Sequence, residues 1–446
     1  MPEPEAIVEH HDMEPPRRRH LLFLACLAPL VGIASGLICA LFRIALEAAV
    51  HLREASVAKA QLLGIAGLPV VMAVTAALVA ASAWLVRRFS PHASGSGIPH
   101  IEAVIEGELP PAPASLAFVK FAGGVLSIGS GLALGREGPS VQMGASVAHT
   151  VGRLFRRDWA DCRVLMAAGA ASGLATAFNA PIAGAVFVLE ELVRRFEPRI
   201  AIVILAATAS AVSVARVLLG DEPDFHIEVR DYGDPLTHLL YGVLGIVAGF
   251  AAIAHNRILL AGLALASRLS FIRVEIRAGA IGAAVGLLGW YLPGMIGGGD
   301  RITQAALLGQ QALMVIPLIL VLRMALGSVS YASGTPGGIF APMLVLGAVL
   351  GLGVGIVLKG AVPFANVQPA AFAVVGMAAF FVGVARAPVT GIVLVTEMTA
   401  SVELLVPMLG ACFASMLVPT LLREPPIYDS LRAATLRREA ERLSRG

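Results

Sequence analysis

The chain has 446 residues, of which 57% are hydrophobic and 14% charged, with a formal net charge of +3. A soluble domain carries about 25% charged residues, so this composition excludes one. Apolar runs recur from Leu21 to Leu422, several are as long as a spanning helix needs, and none alternates as a β-barrel strand would, so the chain reads as an all-α polytopic membrane protein.

Residues 1–20 are polar and predict a cytoplasmic N-terminal segment, because Arg17-Arg18-Arg19 stands just before the first apolar run. That run is too long for a cleavable signal peptide. Spans are predicted at Leu21–Val50 and Leu63–Val86. Ser94-Gly95-Ser96-Gly97-Ile98-Pro99 then leads into a short amphipathic helix, His100–Gly107. Leu116–Leu134 is apolar and glycine-rich and ends on Gly135-Arg136-Glu137-Gly138-Pro139. Pro139 predicts a helix start, since the first helical position has no use for the N–H that proline lacks. Glu137 is thereby placed just ahead of a helix N-terminus, in apolar surroundings where a carboxylate is costly and so marks a functional site. The rival role is a carboxylate that only caps its own helix.

A basic loop with Arg153, Arg156 and Arg157 precedes an apolar stretch, Val164–Leu192, broken at Asn179-Ala180-Pro181. Another span is predicted at Ile200–Leu219. Asp221–Pro235 is polar, acidic and without apolar period, which predicts a linker between membrane halves at 21–220 and 236–425. Spans follow at Leu236–Leu265, Ala278–Leu292 and Leu313–Leu326. Further breaks stand at Gly334–Pro342 and Arg386-Ala387-Pro388. The last stretch, 426–446, is a tail that reads as a short basic surface helix with leucines at 431, 436 and 443, and no further regulatory domain is expected after it. The four cysteines show no metal or disulfide spacing, and the ten histidines none for a metal.

The two halves resemble each other. Gly169, Ala180, Pro181, Gly184 and Glu190 recur as Gly376, Ala387, Pro388, Gly391 and Glu397, all at an offset of 207. Gly135 and Pro139 recur as Gly338 and Pro342 at an offset of 203. Paired interruptions in two membrane halves point to a transporter's midplane site. Half-helices beginning near Pro99, Pro139, Pro342 and Pro388 would bring N-termini together, and helix N-termini bind anions through backbone N–H groups.

At these residues the chain resembles the CLC family of chloride channels and chloride/proton exchangers. The three anion-path motifs are Gly95-Ser96-Gly97-Ile98-Pro99, Gly135-Arg136-Glu137-Gly138-Pro139 and Gly338-Ile339-Phe340-Ala341-Pro342. Ala177-Phe178-Asn179-Ala180-Pro181 and the tyrosine of Pro425-Pro426-Ile427-Tyr428 also match, in the family's order, over about residues 20 to 430.

The resemblance implies a fold of two inverted-topology repeats with broken, tilted helices, and a homodimer with one pore per subunit. It places the dimer interface near Ile182–Leu192, Val203–Leu219 and Val389–Leu422. It implies that Ser96 and Tyr428 lend hydroxyls to chloride and that the N–H groups of Ile339 and Phe340 point at the same ion. Glu137 is then the gate and Glu191 the internal proton acceptor. Lys120, a lone cation in apolar text, raises local positive potential or snorkels to the interface. His100 stands where family members often have glutamate, and no role attaches to it.

The expected function is chloride/proton antiport across the inner membrane, with both termini cytoplasmic. Chloride, protons and the lipid bilayer are the partners, with no cofactor, metal or nucleic acid. The alternatives are a passive chloride channel of the same fold and, further off, a cation-coupled organic anion transporter. An enzyme is not expected, because no Ser/His/Asp, metal or nucleotide constellation occurs.

Overall fold

The computed structural model describes residues 18–227 and 235–444. The expected N-terminal segment and the middle of the expected linker lie outside the described residues.

Seventeen α-helices make up the described chain, and sixteen of them fall into two series of eight. The first series is α1 (Arg18–Gln61), α2 (Gly67–Phe89), α3 (Ile98–Ile105), α4 (Ser115–Gly129), α5 (Glu137–Leu154), α6 (Trp159–Phe178), α7 (Pro181–Phe187) and α8 (Pro198–Leu219). The second is α9 (Pro235–Arg268), α10 (Val274–Tyr291), α11 (Asp300–Leu307), α12 (Ile316–Tyr331), α13 (Phe340–Ala361), α14 (Pro369–Ala385), α15 (Pro388–Thr399) and α16 (Leu405–Leu421). The tail is α17 (Ile427–Leu443). Five of these helices, in α1, α2, α8, α9 and α13, are long and apolar enough to cross a membrane.

Packing repeats along with the order. α1 lies on α8 as α9 lies on α16, α5 on α6 as α13 on α14, and α2 meets α10 between the halves. Glycines set the close crossings. A Cβ at Gly144 of α5 would run into the Gly169 carbonyl of α6, and one at Gly347 of α13 into the Gly376 carbonyl of α14. Small residues are what let helices approach where no hydrophobic effect drives them together.

The helix breaks also repeat. α6 ends on Asn179 at φ 50 and α14 on Arg386 at φ 66, both left-handed, and in each half proline opens the next helix two residues later. Gly97 (φ 87) before α3 and Gly299 (φ 101) before α11 are a second matched pair of left-handed turns. Glycine has no Cβ to clash there.

Several expectations change. α1 runs past Val50 to Gln61, because the Ala-, Glu- and Lys-containing text beyond the apolar run is itself helix-forming. Val164–Leu192 is two helices followed by a π-helical turn at Val188–Leu192. α3 is not amphipathic, since all eight of its residues are buried, Glu102 included. α5 starts at Glu137 rather than Pro139, so Glu137 is its first residue. Pro139 is tolerated two residues in, because every N–H of a first turn lacks an intrahelical acceptor. The tail helix is docked rather than lying loosely on a surface, with Ile427, Tyr428 and Leu431 buried.

Candidate functional site

The three glycine-rich breaks meet at one place. Gly95 donates to the Thr335 carbonyl at 3.0 Å and accepts from Gly337 N–H at 3.1 Å. Gly135 and Gly338 exchange a pair of backbone hydrogen bonds at 2.9 and 2.8 Å. Both breaks of the first half are thus zipped to one break of the second. Ser127 Oγ reinforces the seam by donating to Pro336 O at 2.6 Å. Glycine is required at the contact, because a Cβ at Gly138 would stand 2.5 Å from Ser96 Oγ.

Three polar side chains converge on this seam, all fully buried: Ser96, Glu137 and Tyr428. The Ser96 and Tyr428 hydroxyls find no hydrogen-bond partner among the described residues. Buried hydroxyls are rarely left that way, and two donors without acceptors suit an anion. The Tyr428 ring rests against Phe187 with centroids 6.3 Å apart, and Phe187 lies 5.6 Å from Phe340. Tyr428 stands within electrostatic reach of both Glu137 and Glu191.

Glu137 does more than cap its own helix. Its Oε1 accepts from the Phe340 backbone N–H, the first of α13, at 2.6 Å. Its Oε2 is buried and has no hydrogen-bond partner among the described residues, and Glu137 is itself the first residue of α5. The carboxylate therefore lies between the N-termini of α5 and α13, where an anion is stabilised by N–H groups and by helix dipoles. Ile339 directly precedes α13 and is buried.

Two recesses approach the seam. One of about 520 Å³ reaches Gly95, His100, Tyr331 and Arg438. The other, of about 250 Å³, reaches Gly135, Arg136, Glu47 and Asp300. Gly95 adjoins Ser96 and Arg136 adjoins Glu137, so each recess comes within one residue of a buried polar side chain of the seam.

The glutamate pair separates cleanly. Glu190 accepts from the N–H groups of Val389 at 3.1 Å and Thr390 at 2.7 Å, and from Thr390 Oγ1 at 2.6 Å, which caps α15. Glu397 accepts from Ile182 N–H at 3.1 Å and Ala183 N–H at 2.7 Å, which caps α7. Each half therefore caps the other's broken helix. Glu191, on the next position of the π-helical turn, is 6% exposed, and its Oε1 has no partner among the described residues.

Arg194 does not form a simple solvated pair with these glutamates. It sits at φ 54, donates to the Glu191 backbone carbonyl, and reaches Glu102 at 2.9 Å and Asp429. Arg432 of α17 reaches Glu102 at 3.0 Å, Glu108 at 2.8 Å and Glu106. Burial works against the charged form of Arg432, but these three carboxylates outweigh it and hold the guanidinium above its ordinary range.

Lys120 is wholly buried, and its Nζ donates to the carbonyls of Ala93 at 3.0 Å and Gly95 at 2.7 Å. It fastens the loop that carries Ser96 and does not snorkel. His100 packs on His92, with ring centroids 4.7 Å apart, and its Nδ1 lies 3.3 Å from Gln142 Nε2. Asp224 was missed by sequence reasoning altogether. It bridges Arg43 at 3.1 Å and Arg136 at 3.0 Å, and nothing in its acidic surroundings marks it out from its neighbours.

The chain is similar to known proteins over most of its length. The family described as voltage gated chloride channel matches residues 76–420. An "H(+)/Cl(-) exchange transporter ClcA" from Cronobacter sakazakii is 38% identical over 366 residues, covering 80% of this chain and 78% of the relative. The protein of the same name from Citrobacter koseri is 34% identical over 425 residues, covering 94% and 90%. Among solved structures, a slow cyanobacterial Cl-/H+ antiporter superimposes with a TM-score of 0.88 at 30% identity, covering 95% of this chain and 99% of that one. A eukaryotic CLC transporter gives a TM-score of 0.79 at 26% identity, covering 93% and 74%.

Proposed function

Since this chain belongs to the voltage-gated chloride channel (CLC) family, we propose that it exchanges chloride for protons across a membrane. The curated relatives are named as exchangers of these two ions. The observation that carries the reading is the Glu137 carboxylate on the Phe340 N–H, beside two buried hydroxyls that lack acceptors. The carboxylate occupies the kind of place an anion would, and the hydroxyls offer an anion the rest of a shell.

In this mechanism Ser96 and Tyr428 each donate one hydrogen bond to chloride, and Ile339 and Phe340 offer backbone N–H groups. Such a site holds the ion without a full positive charge and so releases it. Glu137 competes with chloride for the N-termini of α5 and α13. Protonation removes its charge, the side chain leaves, and chloride takes the place. Ionised Glu137 returns only when chloride moves on, so proton and anion movements are linked by charge competition. Glu191 receives protons from the cytoplasmic side. It is buried and its Oε1 has no partner among the described residues, whereas Glu190 is committed to a helix cap.

The membrane is the inner (plasma) membrane with both termini in the cytoplasm, because Arg153, Arg156, Arg157 and the basic tail all follow the positive-inside rule if they lie there. The transport repeats are 21–220 and 236–425. A homodimer fits the exposed apolar residues Ile202, Leu205, Val406, Leu409 and Phe413 on α8 and α16.

The test is paired chloride and proton flux in liposomes. In wild type an imposed chloride gradient should drive protons in the direction opposite to chloride. Glu137→Gln and Glu191→Gln should each keep chloride movement while proton movement falls to background. A chloride gradient that drives no protons in wild type would make the protein a passive channel. Coupled proton uptake that survives Glu137→Gln would remove that residue from the mechanism.

A further inference from the structure

The expected linker is, in its described part, a strap. Phe225 is buried and its N–H bonds the Met398 carbonyl at 3.0 Å. Asn179 Nδ2 donates to Glu222 O at 3.1 Å, and Gln304 Nε2 to His226 O at 2.9 Å. These anchors belong to the α6–α7 break, the end of α15 and α11, so the strap is tied to both halves. Between them stands Asp224, whose side chain is 10% exposed.

Asp224 joins two guanidiniums. Oδ1 takes Arg43 at 3.1 Å and Oδ2 takes Arg136 at 3.0 Å. Both arginines are also held by the last turn of α6, Arg43 through the Thr176 carbonyl at 3.2 Å and Arg136 through the Ala177 carbonyl at 2.9 Å. Neither can swing away from the other. Arg136 is the residue next to Glu137. Two arginines and one aspartate leave this cluster with one net positive charge beside the carboxylate.

Other charged and titratable groups line the same recess: His51, Arg53 and Glu54 on α1 and Arg301 on α11, with Arg53 and Arg301 paired to Glu54. α1 adds Glu47 and α11 adds Asp300, both of which face Arg136 but are exposed and screened by solvent. α17 adds the Tyr428 hydroxyl, and α13 offers backbone N–H groups. Among the described residues near Arg136, Asp224 is the acid in direct ion-pair contact with it.

We propose that Asp224 is a positioning residue for transport: through Arg136 and Arg43 it sets the external pH at which Glu137 takes up its proton. The proposal rests on the gate role of Glu137. Its sign is fixed by Coulomb's law. Removing the aspartate charge leaves two uncompensated guanidiniums, which favour ionised Glu137 and move the pH dependence to the acid side. Removing Arg43 does the opposite.

The experiment is chloride-driven proton flux in liposomes as a function of external pH, on the full chain. Asp224→Asn should shift the midpoint acidward by roughly half a unit to one unit, the size of a one-charge change under partial screening. Arg43→Gln should shift it alkaline by a comparable amount, the double variant should return near wild type, and Asp224→Glu should restore the wild-type midpoint. A merely structural strap would lower the rate in both single variants without opposite shifts, and that result would overturn the proposal. So would shifts of the same sign. Glu137→Gln separates the two ideas: a midpoint that persists in that variant would defeat the gate role itself, whereas a midpoint lost there but unmoved in Asp224→Asn would defeat only the role of Asp224.

Discussion

A buried ammonium such as that of Lys120 is tolerable only where carbonyls replace its water. The carbonyls of Ala93 and Gly95 do so, and both stand in the loop that presents Ser96. Lys120→Met removes the donor and leaves two carbonyls to find others. It should destabilise the protein by about 2–4 kcal/mol and weaken chloride binding. Thermal unfolding in detergent with and without chloride, together with calorimetric chloride titration, checks both. A variant as stable as wild type that bound chloride equally well would show that the loop needs no such fastening. Residue-scale asymmetry is also informative at Glu137. Its counterpart in the second half is Phe340, whose ring sits 4.3 Å from Phe381 and 5.6 Å from Phe178. The scaffold is satisfied by an aromatic at that position, so the acid answers to something other than packing.

Short broken helices are marginal alone, because few of their N–H groups are used internally. α7 has seven residues, α15 has twelve, and each receives a carboxylate from the other half. Glu190→Gln and Glu397→Gln should therefore each cost about 1–2 kcal/mol, the range of a lost charged cap. Neither should change the proton-to-chloride ratio. Unfolding midpoints and paired flux measurements would report this. Proton uncoupling by Glu190→Gln would mean that the glutamate pair had been divided the wrong way round.

The tail helix bears on the whole molecule, since it brings Tyr428 to a site built mainly from other elements. It is clasped by Arg432 to Glu102, Glu106 and Glu108, and by Asp429 to Arg194. Glu102 is fully buried, and without Arg432 it keeps Arg194 as its partner at 2.9 Å. Arg432→Gln should cost about 1.5–3 kcal/mol, the range of lost charge-assisted hydrogen bonds, and lower chloride affinity through Tyr428. Limited proteolysis of the tail and chloride titration together would reveal it. Unchanged affinity with a loosened tail would show that Tyr428 is placed by its own packing instead.

The helices, their breaks and the repeat were legible in the chain because each follows from local chemistry. Length and apolarity make spans, proline and glycine interrupt them, and the offsets of 207 and 203 report a shared plan. The buried hydroxyls and Glu137 were legible through motifs in fixed order. What required tertiary structure was pairing between residues far apart in the chain. That Glu190 caps α15, that Lys120 holds the Ser96 loop and that Asp224 joins Arg43 to Arg136 are contacts between residues 25 to 200 positions apart. No local pattern encodes such partners, because a charge in a sequence shows only that it needs compensation. Where that compensation comes from is decided when the helices pack on one another.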